Sequence, residues 1–461
     1  MSNRTLDSVD DDSGRQVVHR FSEGAAIQRL AEGCSTTTLG SLDASQRSLL
    51  DKIIRCCLYC IGVGAAYGDD DTTPLIQELG PQTRGEPKGW PDCILTAFLD
   101  ATVGAASDLD PLGYGPSHIA LPATVAACGA ARLTGATSDD EIATAVLAGI
   151  ETATRLRMAI SGVRPGIGFH SSGTFGTIAA AASVSRLLGA DTAQVSKALA
   201  IALTRMSGLS TNSGSARICL THFGWAAGHG LEASWLALRG WTASMDLEAA
   251  LESYFPGHVF ESALLDPGST SVTLEPPSTI FKLYPCNLFL NPLFQALAGD
   301  RATDGPIHIR IPEIPHLNQP KPRSAREARY SAQAVATLAT NYPAAYGSFT
   351  DPTLHLNDNA HFAHLMQRVT VSLDQDIPTR FDETYVEIQT ADREHGSRDA
   401  AYYLRDLKPW NRAHASDLLA GMPSTAWVPQ VFDLPYLAAY IVARENVPRA
   451  TASAVASGEP S

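Results

Sequence analysis

Apolar residues recur at helical spacing through most of the first 265 positions, and this periodicity constrains the fold most strongly. The segments "SDDEIATAVLAGIETATRLRMAI" and "DTAQVSKALAIALTRMSGL" place apolar side chains every three or four residues, which predicts amphipathic helices. Asp43 with Gln46, and Ser138 with Glu141, have the spacing of capping boxes at helix starts. Alanine, glycine and serine dominate these segments, and small side chains allow helix axes to approach closely. No fixed repeat is present, so the sequence predicts a closely packed all-helical unit rather than a solenoid.

The periodicity changes near residue 270. "PIHIRIPEI", "RVTVSLDQ" and "TYVEIQT" alternate with period two and predict strands, with helical segments between them. The last helical segment, "DLPYLAAYIVARENV", is predicted to start with Asp433 as its cap, and it is apolar enough to need a partner. The expected fold is mainly α, with a large helical domain, a smaller α+β lid domain and a C-terminal helix that returns to the helical domain. The expected limits are 19–270 plus 410–447 for the helical domain and 271–409 for the lid, with disordered ends at 1–18 and 448–461.

The composition narrows the range of partners. The chain has 461 residues, 44% apolar and 18% charged, with a net charge of −14. Such acidity argues against binding to nucleic acid or to anionic membranes. It does not exclude a small anionic substrate, because binding of a small molecule depends on the local electrostatic field of its pocket. The polar N-terminus does not resemble a signal or transit peptide, and no run of 18 apolar residues suggests a membrane span. A cytoplasmic location is expected.

Eight cysteines are present, and one C-x-x-C pair joins Cys57 to Cys60. No second pair follows, and the segment around it has helical spacing, so buried thiols are a better interpretation than a metal or redox site. His222 and His229 are seven residues apart, on one face of a predicted helix, with no carboxylate at ligand spacing. The sequence therefore predicts no bound metal.

Four short segments carry residues suited to chemistry. They contain Asp108, Asp110 and His118; His170; Arg217, Cys219 and His222; and Lys282. Each has a simpler structural interpretation, since an Asp-x-Asp in a loop is often a turn or a cap, and a lysine can extend from a strand to solvent. Their common position, at junctions between elements of an acidic chain, is more informative than any one of them.

The start of the helix after His170 has features of an anion site. Ser171 and Thr174 lie where free N–H groups and the helix dipole favour negative charge. Histidine and lysine side chains nearby are suited to proton transfer on the carbon next to a carboxylate. The pattern therefore indicates a small carboxylic acid as substrate.

These motifs resemble the MmgE/PrpD family over about residues 20 to 445. "DLDPL" and "SHIALP" are similar to the family's D-F-D-D-T run and the loop after it, which matches Asp108 and His118. "GFHSS" matches His170, "CLTHFG" matches His222 and "KLYP" matches Lys282. The resemblance implies a helical domain with an α+β lid, an active site between them, a homodimer, and no required cofactor. It implies catalytic roles for Asp108, His118, His170 and Lys282, and substrate binding by Arg217, Cys219, His222, Ser171, Thr174 and His316.

The chain departs from the family pattern at several positions. Pro111 and Leu112 replace an aspartate and a threonine, Cys219 replaces a lysine, and His316 aligns with a lid tyrosine. The expected function is that of a lyase, a dehydratase or decarboxylase, acting on a small di- or tricarboxylic acid. Two alternatives stay open: an isomerase or epimerase that uses the same proton transfer, and a homologue that binds without turnover.

Overall fold

The computed structural model describes residues 24–67, 72–83, 85–114, 117–135, 138–162, 168–213, 217–266, 271, 273–274, 279–299, 305–341, 360–380, 382–392, 396–419 and 425–445. The two ends predicted to be disordered, 1–18 and 448–461, lie outside these residues. No helix in the described part is long and apolar enough to cross a membrane.

The first part of the chain is helical, as the periodicity predicts. Its helices are α1 (Ala25–Thr36), α2 (Ala44–Tyr67), α3 (Thr73–Thr83), α4 (Trp90–Ala106), α5 (Ala120–Thr134), α6 (Asp139–Met158), α7 (Phe175–Leu187), α8 (Thr192–Leu203), α9 (Ile218–Ala237) and α10 (Leu247–Tyr254). Strands β1 (Ile160–Ser161) and β2 (Val259–Phe260) form a short antiparallel pair beside them. Both predicted capping boxes are confirmed. In each box the cap side chain accepts from the amide three positions later, and the side chain of that later residue accepts from the amide of the cap.

Helix α7 lies at the centre of this unit and packs against α5, α6, α8 and α9. Its residues from Phe175 to Ser185 are all buried. Glycines allow the neighbouring helices to approach it: a Cβ on Gly149 of α6 would lie 2.4 Å from the carbonyl oxygen of Ala179. A Cβ on Gly230 of α9 would lie 2.3 Å from the Cβ of Ala180. The alanine-rich composition therefore reflects close helix packing on every side of α7.

The second part contains a four-stranded sheet in the order β4-β3-β5-β6. Its strands are β3 (Ile307–Pro312), β4 (Val369–Asp374), β5 (Tyr385–Asp392) and β6 (Gly396–Tyr403). Strands β3 and β4 are parallel, while β5 is antiparallel to both β3 and β6. The three predicted strands are confirmed, and β6 was not predicted. Helices α11 (Asn291–Gly299), α12 (Ala325–Arg329), α13 (Ala332–Asn341) and α14 (Ala360–Met366) accompany the sheet.

The chain ends on the helical unit again. After α15 (Arg412–Leu418), helices α16 (Val428–Asp433) and α17 (Tyr436–Glu445) pack against α2. The mainly α fold and its returning C-terminal helix are thus confirmed. The predicted cap is wrong, because Asp433 ends α16, and the first amide of α17, at Tyr436, donates instead to Asp139 Oδ1 at 2.8 Å. The predicted domain limits stay a prediction, since 267–270 and 275–278 are outside the described residues.

All eight cysteines are free and buried. Cys57 and Cys60 are fully buried within α2, and burial raises the pKa of the Cys57 thiol well above its usual value. The interpretation of these cysteines as buried thiols is confirmed.

Candidate active site

The loop after α4 turns two carboxylates into the protein. Asp108 has a φ of 53°, the one positive φ found among the described residues other than glycine. Such a conformation is uncommon outside Asn, Asp and glycine, and it often marks a functional position. Asp110 is 1% exposed and Asp108 8% exposed. Both carboxylates of this Asp-x-Asp are therefore buried rather than exposed to solvent.

Lys282 brings the second part of the chain to these carboxylates. Its ammonium group contacts Asp108 Oδ1 and lies 3.4 Å from Asp110 Oδ1, and the side chain is 3% exposed. Burial lowers the pKa of Lys282, but the charges of Asp108 and Asp110 outweigh burial and hold this pKa above its usual value. Asn291 fixes the lysine loop, because its Oδ1 accepts from the amides of Leu283 and Tyr284. Lys282 is thus a buried cation, and its interpretation as a lysine that extends to solvent is wrong.

His118 shares the second carboxylate. Its Nδ1 lies 2.6 Å from Asp110 Oδ2. Burial raises the pKa of Asp110, but His118 and Lys282 together outweigh it and hold this pKa well below its usual range. An ionised Asp110 accepts a hydrogen bond from Nδ1–H, which fixes the tautomer of His118 and leaves Nε2 for proton exchange. Asp108 Oδ2 is buried and has no hydrogen-bond partner among the described residues.

Two more histidines and a cysteine lie beside His118. The ring of His170 is 5.7 Å from that of His118, and its Nδ1 is 3.2 Å from Nδ1 of His222. Cys219 Sγ lies 3.9 Å from the same His170 nitrogen. Burial, followed by the charges of His118 and His222, holds the pKa of His170 well below its usual value. Burial likewise lowers the pKa of His222, and Arg326 adds to this effect.

Gly208 makes room for this arrangement. Its carbonyl accepts a hydrogen bond from the amide of His170 at 2.8 Å. Gly208 has a φ of +92°, and a Cβ there would lie 2.7 Å from Cγ of His222. A side chain at this position would therefore be strained and would displace the imidazole.

The lid contributes two residues that sequence reasoning missed. Arg326 of α12 is 6% exposed, and its charge lowers the pKa values of both His222 and, after larger effects, His170. Burial and the charge of Asp108 raise the pKa of Tyr330, which borders Lys282 and Cys219. His316 packs against the ring of Tyr330 at 5.9 Å, so the phenol beside the lysine belongs to Tyr330 and not to the His316 position. The string "SAREARY" carries no signal that separates Arg326 from its charged neighbours.

The structure also places the residues that were predicted to bind the substrate, Arg217, Ser171 and Thr174. Arg217 is exposed at the start of α9, whereas the guanidinium buried near the histidines is that of Arg326. Ser171 Oγ accepts a weak hydrogen bond of 3.5 Å from the amide of His118, and the Thr174 hydroxyl donates to the carbonyl of His170. The amides of Gly173 and Thr174 also donate to that carbonyl, so the argument from free N–H groups is wrong for them. Substrate binding by Ser171, Thr174 and Arg217 stays a prediction.

Spacing along the sequence indicates no metal site, but the fold brings one set of possible ligand atoms together. The absence of a bound metal stays a prediction. His170 Nδ1, Cys219 Sγ and His222 Nδ1 all lie within 4.8 Å of one another. Spacing along the chain does not reveal this set, because His170 comes from the turn before α7 and the other two come from α9. His229 is not part of it and stacks instead on Trp225.

The comparisons with known proteins agree with this geometry. Residues 97–257, which carry Asp108, His118, His170, Cys219 and His222, match the MmgE/PrpD N-terminal domain. Over these residues the chain is similar to the MmgE/PrpD family.

Two proteins to which this chain is similar have a described activity. The cis-aconitate decarboxylases of Mus musculus and Homo sapiens are each 29% identical to it over 280 residues. The match to the mouse protein covers 54% of this chain and 56% of the mouse protein. The match to the human protein covers 55% of this chain and 57% of the human protein. The matched part thus spans little more than half the length of these curated relatives.

Proposed function

We propose that this protein is a cofactor-independent lyase, a dehydratase or decarboxylase, that acts on a small di- or tricarboxylic acid. One observation carries the proposal: Lys282, Asp110 and His118 form a buried chain of charge-assisted contacts that ends beside His170. These contacts connect a cation to a histidine of fixed tautomer. Proton transfer next to a carboxylate requires both groups. The family and the described activity of its relatives support the same reaction class.

Arg326 is the proposed carboxylate-binding residue. A guanidinium group binds a carboxylate with two parallel hydrogen bonds, and burial strengthens this interaction. His170 and His222 have lowered pKa values through burial, so they meet the substrate as neutral donors and acceptors. The site therefore offers a fixed positive charge for binding and uncharged imidazoles for chemistry.

The proton transfers follow from this division of roles. In dehydration, His118 Nε2 takes the proton next to a carboxylate, and the electron pair left on carbon expels the hydroxyl group of the neighbouring carbon. That hydroxyl leaves as water after it receives a proton from the site. In decarboxylation, the bond to the leaving carboxylate breaks, CO₂ departs, and the electron pair that remains on carbon takes up a proton. In both cases Lys282 stabilises the negative charge that develops on the remaining carboxylate.

The test is an assay of the full chain with a panel of small di- and tricarboxylic acids that includes cis-aconitate, with products identified by NMR. Lys282→Ala and His118→Ala should each lower turnover by about two to four orders of magnitude, the usual range for a general acid or base. His229→Asn is the matched control, because His229 lies two turns along α9 from His222, outside the cluster. Near-normal turnover in both site variants would contradict the proposed roles.

The same assay separates the alternatives. Loss of stereochemistry, or exchange of a carbon-bound proton with D₂O without any change in mass of the product, would favour an epimerase. Binding of an acid without turnover would favour a binding protein, for which the replacement of the family lysine by Cys219 is the relevant observation. The proposed assembly is a homodimer, and light scattering of the purified chain tests it.

A further inference from the structure

The donor atoms of His170, Cys219 and His222 have the spacing of a metal coordination sphere. The two Nδ1 atoms are 3.2 Å apart, and Cys219 Sγ is 3.9 Å from Nδ1 of His170. A zinc ion bonded tetrahedrally, at about 2.0 Å to nitrogen and about 2.3 Å to sulfur, separates such ligand atoms by about 3.3 to 3.6 Å. Two of the three separations are therefore within about 0.4 Å of the tetrahedral values. The third, from Cys219 Sγ to Nδ1 of His222, is no more than 4.8 Å.

The backbone holds all three donors in place. Cys219 and His222 lie in the first two turns of α9 with a spacing of three residues, which places them on the same helix face. His170 is fixed from the other side by its amide hydrogen bond to Gly208. Ser172 Oγ lies 3.1 Å from Nδ1 of His170, and a serine hydroxyl is a weak ligand for a metal ion. With three protein ligands, a tetrahedral zinc ion keeps its fourth coordination position for water or a carboxylate.

The charges around this trio are balanced. The charge of Arg326 repels a cation, whereas the carboxylates of Asp108 and Asp110 attract one. His118 and Lys282 are held by those same carboxylates. Two nitrogen donors and one thiolate form a borderline-soft set that suits Zn²⁺ better than Mg²⁺ or Ca²⁺.

We propose that His170, Cys219 and His222 bind one Zn²⁺ ion, and that this ion occupies the acid-binding site and inhibits turnover. The binding stands on the geometry of the three side chains alone. The inhibition rests on the proposed function, because it requires the carboxylic acid to use the same histidines. The proposed site depends on Cys219, which stands where the family pattern has a lysine. The ammonium group of a lysine at this position would occupy the place of the metal ion.

The first experiment measures binding to the full chain without any assay of activity. Metal-free protein is titrated with Zn²⁺ against a chromophoric chelator, and with Co²⁺ to record thiolate-to-cobalt charge transfer. One equivalent should bind, and Cys219→Ser should abolish the charge-transfer band. Cys219→Ser, Cys219→Lys and His222→Asn should each weaken Zn²⁺ binding by about 100-fold or more, because loss of a ligand exceeds the effect of losing its outer-shell partner.

Matched controls locate the site. His229→Asn on the same helix and Cys93→Ala, a buried cysteine on α4, should keep the affinity of the unchanged protein. Circular dichroism and Tm show whether each variant is folded, and a variant that unfolds is replaced by the second substitution at that ligand. No stoichiometric binding, or binding that survives both Cys219→Ser and His222→Asn, would overturn the proposed site.

The second experiment tests inhibition wherever the acid panel yields a substrate. Zn²⁺ should lower turnover over the same concentration range in which it binds, and a chelator should restore it. Binding without inhibition would overturn the shared use of the histidines and leave the metal site intact. Failure to find a substrate would count against the proposed lyase, whereas the titration would still decide the metal site.

Discussion

At the scale of single residues, the site depends on Asp110, a buried carboxylate that His118 and Lys282 hold in its ionised form. Asp110 has a pKa well below its usual 3.8 because His118 and Lys282 outweigh the effect of burial, so its contribution to stability is present above about pH 4 and is lost as the pH falls. Lys282 has a pKa above its usual 10.5, so its contribution is present below that pH and is lost as the pH rises further. Both contributions are complete between about pH 5 and pH 9.

Removal of the ammonium group should change this pH dependence. In Lys282→Met, two buried carboxylates lose their cation, which costs about 3 to 5 kcal/mol near neutral pH. Burial then favours the protonated carboxyl groups, so the variant should become relatively more stable as the pH falls from 8 to 5. Tm measured across this range is the readout, and Lys52→Met on the exposed side of α2 is the control. An identical pH slope in Lys282→Met and the unchanged protein would contradict the ion-pair account.

At the scale of elements, the position of the site depends on how closely helices approach α7. The turn that carries His170 leads directly into α7, and α9, which carries Cys219 and His222, packs against the same helix. Glycine at the contact between α7 and α9 brings the two helices close enough for their side chains to meet near the N-terminal ends. The spacing of the cluster is therefore set by backbone contacts several turns away.

Two glycine substitutions test this packing. Gly230→Ala would place a Cβ 2.3 Å from Ala180, and such overpacking costs about 1 to 3 kcal/mol. Gly129→Ala, within α5, meets nothing closer than 3.7 Å and should be neutral or more stable by up to about 1 kcal/mol through its higher helix propensity. Urea unfolding of both variants gives the free energies. Equal stability of the two would show that α7 and α9 can separate without penalty.

At the scale of the whole molecule, the C-terminal helix ties the end of the chain to the first helices. Asp100 of α4, with a side chain 4% exposed, accepts hydrogen bonds of 2.5 Å from both the Tyr440 hydroxyl and Arg444 Nε of α17. Tyr436 also donates to Asp51 of α2 at 2.8 Å. These contacts join segments of the chain that are more than 300 positions apart.

Arg444→Met should therefore destabilise the entire helical unit. It leaves the Asp100 carboxylate buried with Tyr440 alone, which costs about 3 to 5 kcal/mol for a buried ion pair. Arg412→Met removes the pair with Asp433, whose side chains are 50% and 57% exposed, and should change stability by less than about 1 kcal/mol. Chemical denaturation of the two variants provides the comparison. A loss in Arg444→Met no larger than in Arg412→Met would contradict this role for the buried pair.

Local pattern in the sequence was sufficient for the elements and for part of the site. Helix periodicity, two capping boxes and three alternating strands depend on interactions among residues a few positions apart, so they can be recognised without the fold. Short motifs identified His118, His170, His222 and Lys282 for the same reason. Strand β6 was missed because "GSRDAAYY" has no alternation of polar and apolar residues, and pairing with β5 decides its structure.

Only the tertiary structure decided which side chains share an environment. Lys282 meets Asp108 across 174 positions. The charge of Arg326 acts on His170 and His222 from a short helix whose sequence does not distinguish it from surface residues. The burial that lowers the pKa of His170, and the approach of Cys219 to two imidazoles, depend on how α7 and α9 pack. Sequence determines the local propensities of this chain, whereas charge pairing and donor spacing arise from contacts between distant segments that no local pattern encodes.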